Sequence, residues 1–280
     1  MTTYSLHKIT HPDRFGFSPD EYSRFKFGDG TAAAAFGSSL AEGFIRRHMA
    51  LAPIDEQIVV IPSPYSYIPT ATFAMKNHFV YRLNRWLAAG GFPVVQETKV
   101  HRTITYKEDY GELSAEERMR LIGNDSFHID AGFLQGKTLL FLDDIKITGS
   151  HERMILKMVG EHRLTNQLFM LYFAELADER IHPNIENRLN YHFVKSIFDL
   201  EMIIRSETFL INTRIVKYIL NYDFDAYCLF LQNQSDDFVN LLYNMALGNN
   251  YHLIEAYSRN LDFLRNYLFN KKNKRIQHGD

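Results

Sequence analysis

An unbroken apolar run, Leu139-Leu140-Phe141-Leu142, leads directly into two adjacent carboxylates, Asp143 and Asp144; after Ile145-Lys146-Ile147 the turn Thr148-Gly149-Ser150 opens a helical pattern. A short continuous apolar run bounded by turn signals fits a strand buried on both faces of a parallel sheet. The carboxylates then lie at that strand's carboxyl end, the edge where open α/β sheets bind ligands. Gly149 permits close backbone approach, Thr148 and Ser150 carry hydroxyls, and amides at the start of the next helix form a concavity suited to a phosphate. Two acids for sugar hydroxyls beside a phosphate cradle match a phosphorylated ribose, whereas a bare phosphate loop has no use for the acids. The competing reading is a buried strand that ends in a solvated Asp-Asp turn.

Residues Leu139–His151 resemble the phosphoribosyl-diphosphate (PRPP) motif of type I phosphoribosyltransferases: four apolar residues, two acids, an aliphatic stretch, then Thr-Gly. The match holds at Asp143, Asp144, Thr148 and Gly149. It departs at Lys146 and Ile147, where that family has an aliphatic residue and Thr, and at Ser150-His151, usually Gly-Thr. The resemblance implies that Asp143 and Asp144 are catalytic-site residues binding the ribose 2′ and 3′ hydroxyls, and that Thr148, Gly149, Ser150 and His151 hold the 5′-phosphate. It also implies Mg2+ as the cofactor, carried by PRPP and lying near Asp143 and Asp144, and displacement of pyrophosphate at the anomeric carbon by a small acceptor. The two acids orient the ribose and are not expected to be nucleophiles.

Two further stretches extend the resemblance. Ile58-Val59-Val60-Ile61 is a second buried-strand candidate and runs into Pro62-Ser63-Pro64-Tyr65-Ser66-Tyr67-Ile68-Pro69-Thr70, a loop stiffened by its prolines. In type I phosphoribosyltransferases the corresponding loop lies against the pyrophosphate, which implies Ser63, Pro64 and Tyr65 as binding residues, with basic Lys99 and Arg102 facing the same polyanion. The alternative is a structural strand-to-helix loop with solvated basic residues nearby. The polar segment 103–111, with Tyr106 and Lys107, occupies the place of that family's flexible lid. The aromatic Pro-rich loop, the spacing of Arg118, Asn124 and Phe127, and the turn Gly136-Lys137 are most similar to the competence-protein-F-like branch, of the kind found in tellurite-resistance and stress-response gene clusters.

The rest of the chain gives the setting. Strands at 58–61, Pro93–Arg102 and Leu168–Phe173 alternate with helical patterns at about 31–48, 72–89 and after the motif, which implies βαβ units and a parallel sheet. Asn190–Val194 reads as an edge strand. Ser18-Pro19-Asp20-Glu21 is a helix start, and Ser114-Ala115-Glu116-Glu117 a capping box. Gly28-Asp29-Gly30 is either an anion cradle or a plain helix entry, with Arg24 and Lys26 as candidates to face the acceptor. From about residue 200 the pattern is helical, broken at 221–223, 233–235 and 248–250; triplets such as Ile215, Ile219, Leu220 and Phe238, Leu241, Leu242 read as core. Lys271-Lys272-Asn273-Lys274-Arg275 reads as a disordered, solvated tail. The expected fold is therefore α/β: a phosphoribosyltransferase-like parallel-sheet core with helices on both faces over residues 1–196, its amino-terminal segment a hood, and an all-helical region over 197–280.

Composition narrows the function. A net charge of −2 gives no bulk reason to expect nucleic acid, and one cysteine, Cys228, excludes an internal disulfide and any multi-cysteine metal cluster. No apolar run approaches the roughly 20 residues of a membrane span, and the amino terminus lacks a signal-peptide core, so a soluble cytoplasmic protein is expected. None of the 12 histidines falls in a metal-ligand spacing, and there is neither a Gly-x-Ser-x-Gly elbow nor a Walker loop. Three functions follow: a phosphoribosyltransferase with an unidentified base-like acceptor, possible as a homodimer by the habit of that fold; a non-catalytic PRPP- or nucleotide-binding regulatory or stress-response protein; or an assembly subunit with a vestigial site.

Overall fold

Strands Ile58–Pro62 and Thr138–Lys146 carry apolar side chains on both faces because both faces of the sheet are covered. The computed structural model describes residues 1–50, 54–102 and 127–278, the last including residues 271–278 as backbone only, as are Arg102 and Phe127. Tyr106, Lys107 and the capping box at Ser114 lie outside the described residues.

In chain order the elements are β1 (Thr2–Ile9), α1 (Pro19–Lys26), α2 (Gly30–Phe44, followed by a π-helical turn Ile45–Met49), β2 (Ile58–Pro62), α3 (Ala71–Ala89), β3 (Gln96–Glu97), β4 (His101–Arg102) and β5 (Phe127–His128). There follow α4 (Ala131–Leu134), β6 (Thr138–Lys146), α5 (Ser150–Glu161), β7 (Leu168–Leu176), α6 (Ile185–Asn190), α7 (Leu200–Ile204), α8 (Thr213–Leu220), α9 (Phe224–Gln232), α10 (Asp236–Gly248) and α11 (Glu255–His278). β1, β7, β6, β2 and β3 form one sheet in that order, and every pairing is parallel. β6 sits at its centre, in register with β2 through Leu140 and Val60 and with β7 through Leu139 and Leu168.

One face of the sheet packs Val60, Leu140, Leu142, Leu171 and Phe173 against α1, α2 and α3. The other packs Val59, Phe141 and Met170 against Ile155, Met158 and Val159 of α5. The carboxyl-terminal helices enclose a third core in which Ile215, Ile219, Leu220, Phe238 and Leu242 are buried, and this core also takes in Phe27 and Ile68 from the first half of the chain.

Three sequence expectations need correction. Asn190–Val194 is not a strand: the Ser23 hydroxyl donates to the Asn190 carbonyl at 2.7 Å and accepts the Val194 amide at 3.3 Å, so this backbone is satisfied by a side chain of α1. β1 takes one edge of the sheet instead, and its half-buried, polar composition hides it. Pro93–Arg102 is not one strand; only Gln96–Glu97 pairs with β2, and the chain leaves the sheet before His101–Arg102 pairs antiparallel with Phe127–His128. The basic tail is helical, since α11 runs on to His278. No Gly or Pro interrupts it, and basic residues suit a helix carboxyl end.

Candidate functional site

Successive side chains on a strand point to opposite faces, and β6 uses this to part its two acids. Asp143 Oδ1 accepts the Ser63 hydroxyl at 2.6 Å and the Asp144 amide at 3.0 Å, with Thr72 Oγ1 at 3.5 Å, the limit of a hydrogen bond; its Oδ2 lies 3.0 Å from His151 Nδ1. Asp144 turns towards α1, where its Oδ2 accepts the Tyr22 hydroxyl at 2.6 Å and an ion pair from Lys26. Both acids are buried, at 8% and 6% exposure. Every oxygen of Asp143 is therefore engaged, whereas among the described residues no donor is bonded to Oδ1 of Asp144.

The electrostatics differ accordingly. Burial opposes charge on Asp143, but the hydrogen bond and charge of His151, the Ser63 hydroxyl and the Lys26 charge outweigh it and hold the carboxyl well below the usual range. An ionised Asp143 only accepts, so His151 Nδ1 carries the shared proton. For Asp144 burial prevails: with the charge of Asp143 added, it exceeds what Lys26 and Tyr22 return, and the carboxyl is pushed up.

The turn after β6 is the predicted phosphate seat. Gly149 takes φ +69°, a left-handed conformation that leaves the amino end of α5 without a side-chain cap. Thr148 and Ser150 share a hydroxyl bond of 2.7 Å, and Arg153 braces the turn through the Thr148 carbonyl at 2.9 Å and Ser150 Oγ at 3.2 Å. Lys146, a departure from the resembled motif, is used structurally: its ammonium lies 2.9 Å from Glu152 and 3.9 Å from Glu175. Glu175 also accepts from Ser5 at 2.7 Å and pairs with Lys8, so β1, β7, β6 and α5 are laced together at this edge.

The Pro-rich loop is brought to the acids by Ser63. Pro64 is buried beside it, and Tyr65 packs edge-on against Phe73 at 5.7 Å. Lys99 is not a solvated surface residue; its ammonium sits 4.6 Å above the Tyr65 ring and donates to the Ser66 carbonyl at 3.2 Å. Arg102 is placed only by its backbone in β4, and Tyr106 and Lys107 lie outside the described residues. At Gly28-Asp29-Gly30 the helix entry is the reading that holds: the Asp29 carboxylate itself accepts the Thr31 and Ala32 amides at 2.9 and 3.1 Å. Arg24 lies 3.6 Å from Asp29 and over the Phe193 ring, away from the acids, whereas Lys26 reaches Asp144. Tyr22 and Thr72 were not expected at the site. Tyr22 and Lys26 stand four residues apart on one helix face, which is the signal that would have paired them.

A family model described as "PRTase ComF-like" matches residues 1–264. The chain belongs to that family. No curated protein matches it. Among solved structures, this PRTase ComF-like chain is similar to hypoxanthine-guanine phosphoribosyltransferase from L. donovani, at 13% identity over 52% of this chain and 73% of that one, TM-score 0.31. A Staphylococcus aureus hypoxanthine phosphoribosyltransferase matches at 11% identity over 60% and 79%, TM-score 0.32. A Neisseria gonorrhoeae hypothetical protein with bound ppGpp matches at 11% over 58% and 93%, TM-score 0.32. At such scores these likenesses carry no argument about ligands. What the PRTase ComF-like chain holds in its own right is a five-stranded parallel sheet whose central strand ends in the acidic pair, with a helical region after it. Among the described residues no helix is long and apolar enough to cross a membrane.

Proposed function

We propose that this chain binds PRPP with magnesium at the carboxyl edge of its sheet and transfers the phosphoribosyl group to a small, base-like acceptor with release of pyrophosphate. The observation that carries the reading is the succession, at the carboxyl edge of the sheet, of an acidic pair with one open oxygen, Asp144 Oδ1, and a turn whose Gly149 gives the amino end of α5 no side-chain cap. The first offers an acceptor to a ribose hydroxyl, and the second offers amides and a helix dipole to the 5′-phosphate. Ser63, Pro64 and Tyr65, with Lys99 above the Tyr65 ring, line the side on which a leaving pyrophosphate would sit. The resemblance adds Arg102 as a further pyrophosphate ligand and Tyr106 and Lys107 as members of a flexible lid.

Among the described residues no three His, Cys, Asp or Glu side chains cluster to hold a metal. Magnesium would therefore arrive carried by PRPP, and Asp143 and Asp144 are the carboxylates that would stand near it. Bound in that way, magnesium would neutralise charge developing on the leaving group. The chain's own residues orient the ribose, fix the 5′-phosphate through the Thr148–His151 turn, and present preorganised donors to the departing oxygens. Asp143, with both oxygens engaged, acts through Ser63 and His151 by fixing the two loops, and Asp144 is the acid that meets the sugar.

A second reading, PRPP binding without turnover, is favoured by one feature. Lys146 and His151 stand at positions where the resembled motif differs, and both are committed to internal acids. Calorimetric titration of PRPP and magnesium into wild type and Asp144→Asn, with pyrophosphate release assayed beside it, decides between them. Binding lost in the variant together with release by wild type supports the transferase. Binding without release across a panel of nucleobase-like acceptors supports the regulator, and no binding by wild type overturns both.

A further inference from the structure

The Pro-rich loop has two ends with different supports. Its first half is held by Ser63 on Asp143. Its second half, Tyr67-Ile68-Pro69, is held by the carboxyl-terminal helices at every backbone polar group it has, apart from the Tyr67 carbonyl. Asn249 Oδ1, in the turn after α10, accepts both the Tyr67 and the Ile68 amides, at 3.0 and 3.1 Å. Thr213, at the start of α8, gives its hydroxyl to the Ile68 carbonyl at 2.8 Å and its amide to the Pro69 carbonyl at 2.9 Å. Asn249 is itself buried, and its Nδ2 donates to the Tyr251 hydroxyl at 3.0 Å. Ile68 is fully buried in the carboxyl-terminal core, and the Tyr67 ring lies so close to Gly248 that a Cβ there would fall 2.1 Å from it.

We infer that Asn249 is a positioning residue for the phosphoribosyl-diphosphate site: it sets the Pro-rich loop, and through the loop the placement of Ser63 and Tyr65 that receives the pyrophosphate moiety. The inference rests on the functional reading above for the identity of that ligand. The geometry of the anchor does not depend on it. A loop whose prolines already fix φ has few remaining freedoms, and two consecutive amides captured by one buried acceptor remove most of those left near its far end. The same region reaches the other wall of the site: Asn212 donates to the Lys26 carbonyl at 3.2 Å, and the Leu210 amide to the Gly28 carbonyl at 3.0 Å. The carboxyl-terminal helices thus grip both segments that flank the acids.

The test compares Asn249→Leu, which removes the acceptor, with Asn249→Asp, which keeps it and can accept the Tyr251 hydroxyl in place of donating to it. Three readouts are taken on the full chain: thermal midpoint, hydrogen exchange of the peptide spanning 62–70, and affinity for magnesium pyrophosphate. The inference expects Asn249→Leu to raise exchange at the Tyr67 and Ile68 amides and to weaken pyrophosphate by about tenfold, the scale of one lost buried acceptor. Asn249→Asp is expected to restore both. Unchanged loop exchange in Asn249→Leu overturns it, as does faster exchange with wild-type affinity, or a leucine variant whose losses the aspartate does not rescue. If wild type binds neither pyrophosphate nor PRPP, the functional reading fails and Asn249 is no longer a positioning residue for that ligand, while the exchange comparison still decides whether it fixes the loop.

Discussion

Ser63 Oγ donates to Asp143 Oδ1 at 2.6 Å and thereby joins the end of β2 to the end of β6 across the carboxyl edge of the sheet. Both groups are buried, so removing the hydroxyl leaves a charged acceptor short of one partner. Ser63→Ala is expected to cost about 1–3 kcal/mol in urea unfolding and to weaken PRPP binding measured calorimetrically. A stability loss with unaltered PRPP affinity would remove Ser63 from the site.

Lys26 and Asp144 form a buried ion pair, with side-chain exposures of 12% and 8%. Breaking such a pair from one side strands a charge and costs about 3–5 kcal/mol, whereas neutralising both partners costs far less. Lys26→Met is therefore expected to be strongly destabilising, and Lys26→Met with Asp144→Asn to recover much of the loss. A double-mutant cycle in denaturant measures the coupling. Additive single effects would show that the two groups do not sense each other.

Gly149 occupies a left-handed conformation at the mouth of α5. A β-branched residue there is strained by roughly 1–2 kcal/mol, and the strain falls on the amides proposed to take the 5′-phosphate. Gly149→Val is expected to lower the thermal midpoint modestly and to weaken PRPP more than it weakens pyrophosphate, since only the first ligand carries a 5′-phosphate. Equal losses for the two ligands would place the damage elsewhere.

The central strand and its turn were legible because their signals are local: four apolar residues, two acids and a Thr-Gly turn all lie within one short stretch. The carboxyl-terminal helices were legible for a similar reason, with breaks at 221–223, 233–235 and 248–250 agreeing with the ends of α8, α9 and α10. What escaped was set by partners far along the chain. β1 is polar enough to pass for a loop, and it is a strand because β7 offers it a parallel edge. Asn190–Val194 has strand-like residues but finds Ser23 instead of a neighbouring strand. The same holds at the site. Lys26 and Tyr22 reach Asp144, and Asn249 reaches Tyr67, across more than a hundred residues, and no spacing rule connects such positions.

The two acids are expected to give stability opposite dependences on pH. Asp143 is held below its unfolded value of about 3.9, so its contribution is present above that pH and is lost as pH falls through the folded value. Asp144 is raised above its unfolded value, so the folded state binds the extra proton. Its contribution is present at low pH and is lost as pH rises from about 4 towards the folded value. Urea unfolding of wild type, Asp143→Asn and Asp144→Asn between pH 3 and 7, about the span between an unperturbed carboxyl and neutrality, separates the two by slope. The difference between wild type and Asp143→Asn should move in favour of wild type as pH rises, and the difference between wild type and Asp144→Asn should move against it. Parallel curves for all three proteins would mean that neither carboxyl is perturbed by its surroundings, and that the asymmetry between a braced Asp143 and an open Asp144 is absent in solution.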